Sequence, residues 1–212
     1  EDPEGETVED LVLSIDLETG EVTELLDFTQ VLPDYFADTR PIAPTDPMFW
    51  QAGEWDWIHL NSLQYMAEDD SLIVSSRETS TIIKVRDIHG EVQVDWLAGD
   101  ERFWEDTAYE EYCLEQEGDF VPQYGQHCVE YLEAGDEEGV YSLAVFNNNY
   151  WALSSRDDFT LDVEDSVGTD LYQSGDETSQ VYVYRIDENQ RTYALESSFD
   201  VPYSSIVSNG SR

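Results

Sequence analysis

Lysine is all but missing from this chain. One residue of 212, Lys84, carries a side-chain ammonium, and 9 basic residues face 49 acidic ones for a formal charge of −40. That balance argues against nucleic acid as a partner, because phosphate contacts are made largely by Lys and Arg. No apolar run reaches the roughly 18 residues of a membrane-spanning helix, so no span is expected in this chain. Cysteine is scarce as well. Cys113 and Cys128 bracket a polar acidic loop, and their spacing suits one disulfide or two free thiols equally. No Gly-rich phosphate loop, long amphipathic helix or signal peptide is visible. Because the chain begins at Glu1 without Met, an upstream targeting segment or anchor is expected to have been removed or left out, leaving the location open between the cytoplasm and beyond it.

What is present points to a folded protein. Hydrophobic residues make up 40% of the chain and include 6 Trp, 13 Tyr and 8 Phe, too many for a solvating acidic tail. Acid spread along a folded chain is tolerated where molar salt shortens screening to about 3 Å. A halophilic, haloarchaeal source is therefore expected.

Short β-rich runs separated by turns recur. Leu11–Asp16 with Glu18–Val22, Thr81–Arg86 with Glu91–Trp96, and Gln180–Ile186 with Arg191–Glu196 each read strand, tight turn, strand. The later two follow another apolar pair, giving units of four antiparallel strands, the content of a propeller blade. Residues 58–99 make one such blade and 128–200 a second with a longer insertion. Leu11–Pro33 supplies part of an earlier blade and Tyr203–Gly210 opens a later one. The expected fold is all-β, a single partial β-propeller domain over 1–212. Its two long loops, 34–54 and 100–126, are rich in aromatics and should overhang the channel.

Chemistry concentrates in two blocks. In the first, Trp55-Asp56-Trp57-Ile58-His59-Leu60-Asn61 precedes Ser75-Ser76-Arg77. If Ile58–Tyr65 is a strand, His59 and Asn61 share a face, and the acidic turn Glu68–Ser71 returns Arg77 beside them. An imidazole, a carboxamide and a guanidinium suit a tetrahedral oxyanion better than a metal, since Arg cannot ligate a cation. The second block is Tyr124-Gly125-Gln126-His127, followed by the apolar run ending Asn147-Asn148-Asn149.

Together the blocks resemble the bacterial and archaeal arylsulfotransferase family, enzymes that move sulfate between phenols without a nucleotide donor, over most of the chain from Leu11 to Arg212. This chain departs from the pattern at Asn147, where an acidic residue is usual. The resemblance implies that His127 is the covalent nucleophile and that His59, Asn61 and Arg77 hold the sulfuryl group. It implies a six-bladed propeller, of which this chain covers about two complete blades and parts of two others. The missing parts would then hold further site residues, including an upstream histidine. It also implies a phenolic sulfate donor and a phenol acceptor, with no cofactor and no metal. An open propeller of this kind is expected to fold poorly alone or to form a homo-oligomer.

On chemical grounds His59 is the candidate acid for the departing phenoxide, whose conjugate pKa is about 10. Asp56 reads as an orienting partner for His59 or as a loop cap. His89, before Gly90, reads as a solvated turn residue, and Arg77 has the competing reading of a surface ion pair. Ser154-Ser155-Arg156 echoes Ser75-Ser76-Arg77 and reads as repeat-derived, with a second channel cation at Arg156 as the competing reading. Acidic turns such as Asp157-Asp158 match no calcium-loop spacing. The competing function is a non-catalytic propeller that binds sulfated or aromatic ligands or a protein partner.

Overall fold

A computed structural model describes residues 6–7, 10–41, 53–156, 158–170 and 177–209. In chain order the elements begin with β1 (Glu6–Thr7), β2 (Leu11–Ile15), β3 (Val22–Asp27), α1 (Phe28–Val31), α2 (Pro33–Asp38) and β4 (Glu54–Trp55). Next come β5 (Leu60–Met66), β6 (Ser71–Ser76), β7 (Thr81–Arg86), β8 (Gln93–Ala98) and β9 (Glu115–Glu117). The chain ends with β10 (His127–Ala134), β11 (Val140–Asn147), β12 (Ser179–Asp187) and β13 (Thr192–Val201). β2 and β3 form a hairpin, and β1 pairs with β4. β5-β6-β7-β8 is an antiparallel meander, and β10-β11-β12-β13 is a second one with β9 added in parallel at its outer edge. The two meanders match the expected four-stranded units closely. The parallel fifth strand was not foreseen, and none of the sheets of the described residues closes on itself.

Period-2 alternation explains how the first meander is buried on both faces. Leu72 and Val74 of β6, Ile83 and Val85 of β7 and Leu97 of β8 face one apolar cluster with Val12, Leu26, Phe28 and Tyr35. Their neighbours Ile73, Ile82, Trp96 and Ala98 face the opposite way, into a cluster with Leu143, Val145, Tyr184 and Ile186 of the second meander. The first sheet is thus sandwiched between the β2–β3 hairpin with its short helices and the second sheet. α1 starts where the Asp27 carboxylate accepts the Thr29 N–H at 2.9 Å, and α2 starts on Pro33, whose missing N–H costs nothing there.

The two long loops contain more structure than expected, and several of their described rings go inward. Tyr35, Phe103, Trp104 and Tyr109 are buried in the first cluster, so they are core rather than an overhanging lid. The part of the first loop from 42 to 52 lies outside the described residues, as does Asp157. Between residues 100 and 126 the chain crosses the sheets: Leu114 donates to the Leu97 carbonyl at 2.8 Å, and β9 then joins β13.

Lys84, the lone lysine, is buried on β7 and ties the sheets together. Its ammonium meets Asp69 and Glu188 at 2.6 Å each and Asp95 at 3.6 Å. Glu188, just past β12, also accepts from Trp96 Nε1 at 3.0 Å and Tyr141 OH at 2.6 Å. Both cysteines are free thiols, and burial pushes the Cys113 thiol up to about 12. No helix of the described residues is long and apolar enough to cross a membrane.

Candidate functional site

Both meanders present the same end to one place. β5 pairs with β6 in a register that sets Leu60 opposite Ser76, so His59 and Arg77 lie just beyond paired residues. β10 pairs with β11 with His127 opposite Phe146, so His127 closes the same end of the second sheet one position further in, with Gln126 and Asn147 just beyond the pair. The inner strands β5 and β10 adjoin: Val129 N–H donates to Ser62 Oγ at 2.8 Å.

His59 and Asn61 do not share a face by strand alternation. The strand starts at Leu60, His59 sits before it at φ +50°, and the register shifts between Leu60 and Ser62, placing Asn61 in a bulge. Local irregularity therefore aims both side chains. Asp10 fastens this turn by accepting the Leu60 N–H at 2.8 Å, and the Arg77 N–H donates to the His59 carbonyl at 3.1 Å.

The imidazole of His59 is oriented by Asp56, with Nδ1 2.6 Å from Oδ2 of the fully buried carboxylate. Nδ1 therefore carries the proton, and Nε2 is the atom left for a ligand. Arg77 is buried, with Nη2 2.9 Å from Glu78 Oε2 and 4.0 Å from Asp56 Oδ2, which removes its surface ion-pair reading. Glu78 in turn accepts the Ser154 and Ser155 N–H groups, the latter at 3.0 Å. Burial pushes the Glu78 carboxyl up, against the pull of Arg77. Burial likewise pushes Asp10 up to about 6, opposed by its bond from Leu60.

Asn61 reaches across to the second block, donating from Nδ2 to the Gln126 carbonyl at 2.8 Å; Ser75 Oγ approaches the same oxygen at 3.3 Å. Gln126 fixes itself on the first sheet by donating to the Ser76 and Thr81 carbonyls at 2.9 and 3.1 Å. Gly125 precedes it at φ +59°, where a Cβ would stand 2.3 Å from the Tyr150 carbonyl oxygen, so only glycine fits the turn that delivers His127. His127 is half-buried, with Nδ1 2.8 Å from Asn148 Oδ1 and 3.2 Å from the Gly125 carbonyl. Burial lowers its pKa first; the Asn148 bond opposes this, and the nearby charges of His59 and Arg77 lower it further. His59 and Arg77 thus lie near enough to His127 to act on its charge, and Asn61 touches the residue next to it.

Asn147 does a different job from its neighbour. Its Oδ1 accepts the Tyr124 and Asn149 N–H groups at 2.9 and 2.8 Å while its Nδ2 donates to Gln180 at 2.8 Å. A carboxylate could do only the first of these, so the amide at this position fits its surroundings.

Arg156 lies elsewhere. It pairs with Asp158 at 3.1 Å and stacks on Tyr35 and Phe159, so the serine echo is a local likeness. His89 is exposed in its turn, 2.5 Å from Asp70 Oδ1. A cavity of about 610 Å³ opens against Asp100, Arg102, Phe120 and Tyr124, and none of the four site residues lines it. Among the described residues no group of three or more His, Cys, Asp or Glu is placed to hold a metal ion.

Two imidazoles, a guanidinium and a carboxamide are gathered where two antiparallel sheets meet, a set of neutral and cationic donors whose chemistry suits an oxyanion. The family profile of the arylsulfotransferases, Arylsulfotransferase (ASST), matches residues 1–212, and the chain belongs to that family. A comparison with curated proteins gave no match.

Proposed function

We propose that this chain carries the transfer site of a nucleotide-independent aryl sulfotransferase, with His127 as nucleophile, His59 as acid and base, and Asn61 and Arg77 as donors to the sulfuryl oxygens. The observation that carries the reading is the meeting of His59, Asn61 and Arg77 with His127 at the inner edge of two sheets. His127 Nε2 attacks sulfur, the S–O bond to the aryl group breaks, and the proton of a doubly protonated His59 passes to the leaving phenoxide. An incoming phenol then returns its proton to His59 as its oxygen attacks sulfur and the S–N bond breaks. One site serves both phenols in turn, which gives ping-pong kinetics. Donor and acceptor are alike, so no activated nucleotide is required.

Two face-packed, four-stranded meanders support a partial propeller, in which the shared end of β5 and β10 would line the central channel. The test is mass spectrometry of the protein after brief exposure to 4-nitrophenyl sulfate. A sulfuryl group on the His127 peptide is expected, discharged when a phenol is added. Nitrophenol release without that adduct would overturn the covalent route.

The charge of −40 supports adaptation to high salt. Turnover should rise with potassium chloride into the molar range, where screening shortens to about 3 Å, and should track folded fraction by circular dichroism. Full folding and highest activity below about 0.1 M salt would refute that adaptation.

A further inference from the structure

Asn148 is fully buried and spends every polar atom of its amide. Its Nδ2 donates to the Ser204 carbonyl at 2.7 Å and the Val207 carbonyl at 3.0 Å, leaving Oδ1 to face His127 Nδ1 at 2.8 Å. Both donors are committed to carbonyls that can only accept, so the amide cannot be turned round without losing two hydrogen bonds and setting its oxygen against two others. The Gly125 carbonyl is the second oxygen near Nδ1. Two acceptors facing one ring nitrogen require that nitrogen to carry the proton, and Nε2 keeps its lone pair.

The seat of the amide is itself built. Ser204 N–H donates to Ser179 Oγ at 2.8 Å, and that hydroxyl reaches the Asn148 carbonyl at 3.0 Å. Val207 holds φ +55° and Ser208 φ +134°, a conformation L side chains rarely adopt and one that persists only where the surroundings over-determine it.

We infer that Asn148 is the positioning residue for His127, holding its imidazole in the Nδ1–H tautomer, and that the Ser204 and Val207 carbonyls are what make a carboxamide fit there and a carboxylate not. An Asp at this place would set an anionic oxygen against two carbonyl oxygens. It would also favour the imidazolium, in which Nε2 has no lone pair to offer. The tautomer stands on geometry alone; its catalytic consequence rests on the proposed role of His127 as nucleophile.

The chain has 3 histidines, so long-range ¹H–¹⁵N correlation of the imidazoles gives three resolvable spin systems, with His127 assigned by its loss in His127→Gln. Wild type should show His127 as Nδ1–H. Asn148→Ala should give a mixture of tautomers and lower kcat by about 100-fold, short of the roughly 10⁴-fold loss seen when a catalytic histidine is held wholly in the wrong tautomer, while KM moves little. Asn148→Asp should raise the His127 titration midpoint by at least about one pH unit, since an adjacent anion favours the charged ring. Wild-type His127 as Nε2–H would overturn the inference without recourse to any variant. So would an Asn148→Ala protein with unchanged tautomer and kcat. The expected spectra in a protein without transferase activity would overturn the sulfotransferase reading and leave the positioning role standing.

Discussion

His59 and His127 stand at the same end of two sheets of similar make, one register position apart, and they are wired differently. In the first sheet the ring leans on a carboxylate, Asp56, and has the Arg77 guanidinium for a neighbour, itself pinned by Glu78. In the second the ring leans on the Asn148 carboxamide, in a place where burial lowers its pKa. A carboxylate behind an imidazole stabilises the protonated ring and suits proton transfer. A carboxamide behind it fixes the tautomer without adding charge and suits nucleophilic attack. Two sheets of one make thus each bring a histidine to the same end, and the residue behind each differs, which under the proposed mechanism separates acid from nucleophile.

The sharpest break in that comparison is to remove each ring in turn. His127→Ala should lower transfer at least about 1000-fold with every donor while aryl-sulfate binding survives, measured by steady-state kinetics and calorimetry. Retention of a tenth of the activity would end its assignment as nucleophile. Arg77→Lys should cost roughly 100-fold, because an ammonium cannot present the planar fork to two oxygens, and a mild effect would argue against Arg77 as a sulfuryl donor. His59→Ala should cost roughly 100-fold with unsubstituted phenyl sulfate and far less with 4-nitrophenyl sulfate, whose phenoxide leaves more easily. Equal losses with both would show that His59 is not the acid.

The comparison also depends on the sheets staying together. Lys84→Ala leaves three carboxylates around a vacated ammonium, and removal of one partner from a buried ion network costs about 3–5 kcal/mol, read from chemical denaturation in constant salt. The smallest effect is expected at Asp10. Its folded-state pKa of about 6 exceeds the ordinary 3.8, so the folded protein holds a proton in that window that the unfolded chain has lost. Stability therefore falls as pH rises from about 4 to 6, and the penalty is complete above that. Asp10→Asn keeps an oxygen for the Leu60 N–H and should stabilise the protein at pH 7 by about 1–3 kcal/mol, fading to nothing near pH 4. A gain independent of pH would show that burial of the charge is not the cause.

Much of this arrangement was legible in the residues, for stateable reasons. Alternating apolar runs with acidic turns fixed β5–β8 and β10–β13 within a few residues, because a two-residue period buried on one or both faces leaves little freedom of register. The blocks around His59 and His127 named four candidate residues, and the structure sets Asn61 against Gln126, beside His127. Their aim was misread, since a positive φ at His59 and a bulge at Asn61 break strand parity, and neither is written in side-chain periodicity. Glu78 and Asp10 could not be picked out among 49 acids, whose abundance erases any signal from a single carboxylate. Asn148 had a trace, three successive amides closing an apolar strand, but which of them faces His127 depends on the distant carbonyls of Ser204 and Val207. The long aromatic loops misled because an aromatic-rich segment reads alike whether it covers a channel or fills a core.

The buried Lys84 turns a scarcity into an instrument. Reagents that acylate primary amines find no other side chain to react with, and this one lies sealed between β7 and Glu188 on the neighbouring sheet. Acylation at that position, followed on its own peptide, would clock how often the sheets part: its rate should report the opening of one interface in the native protein, with no engineered label.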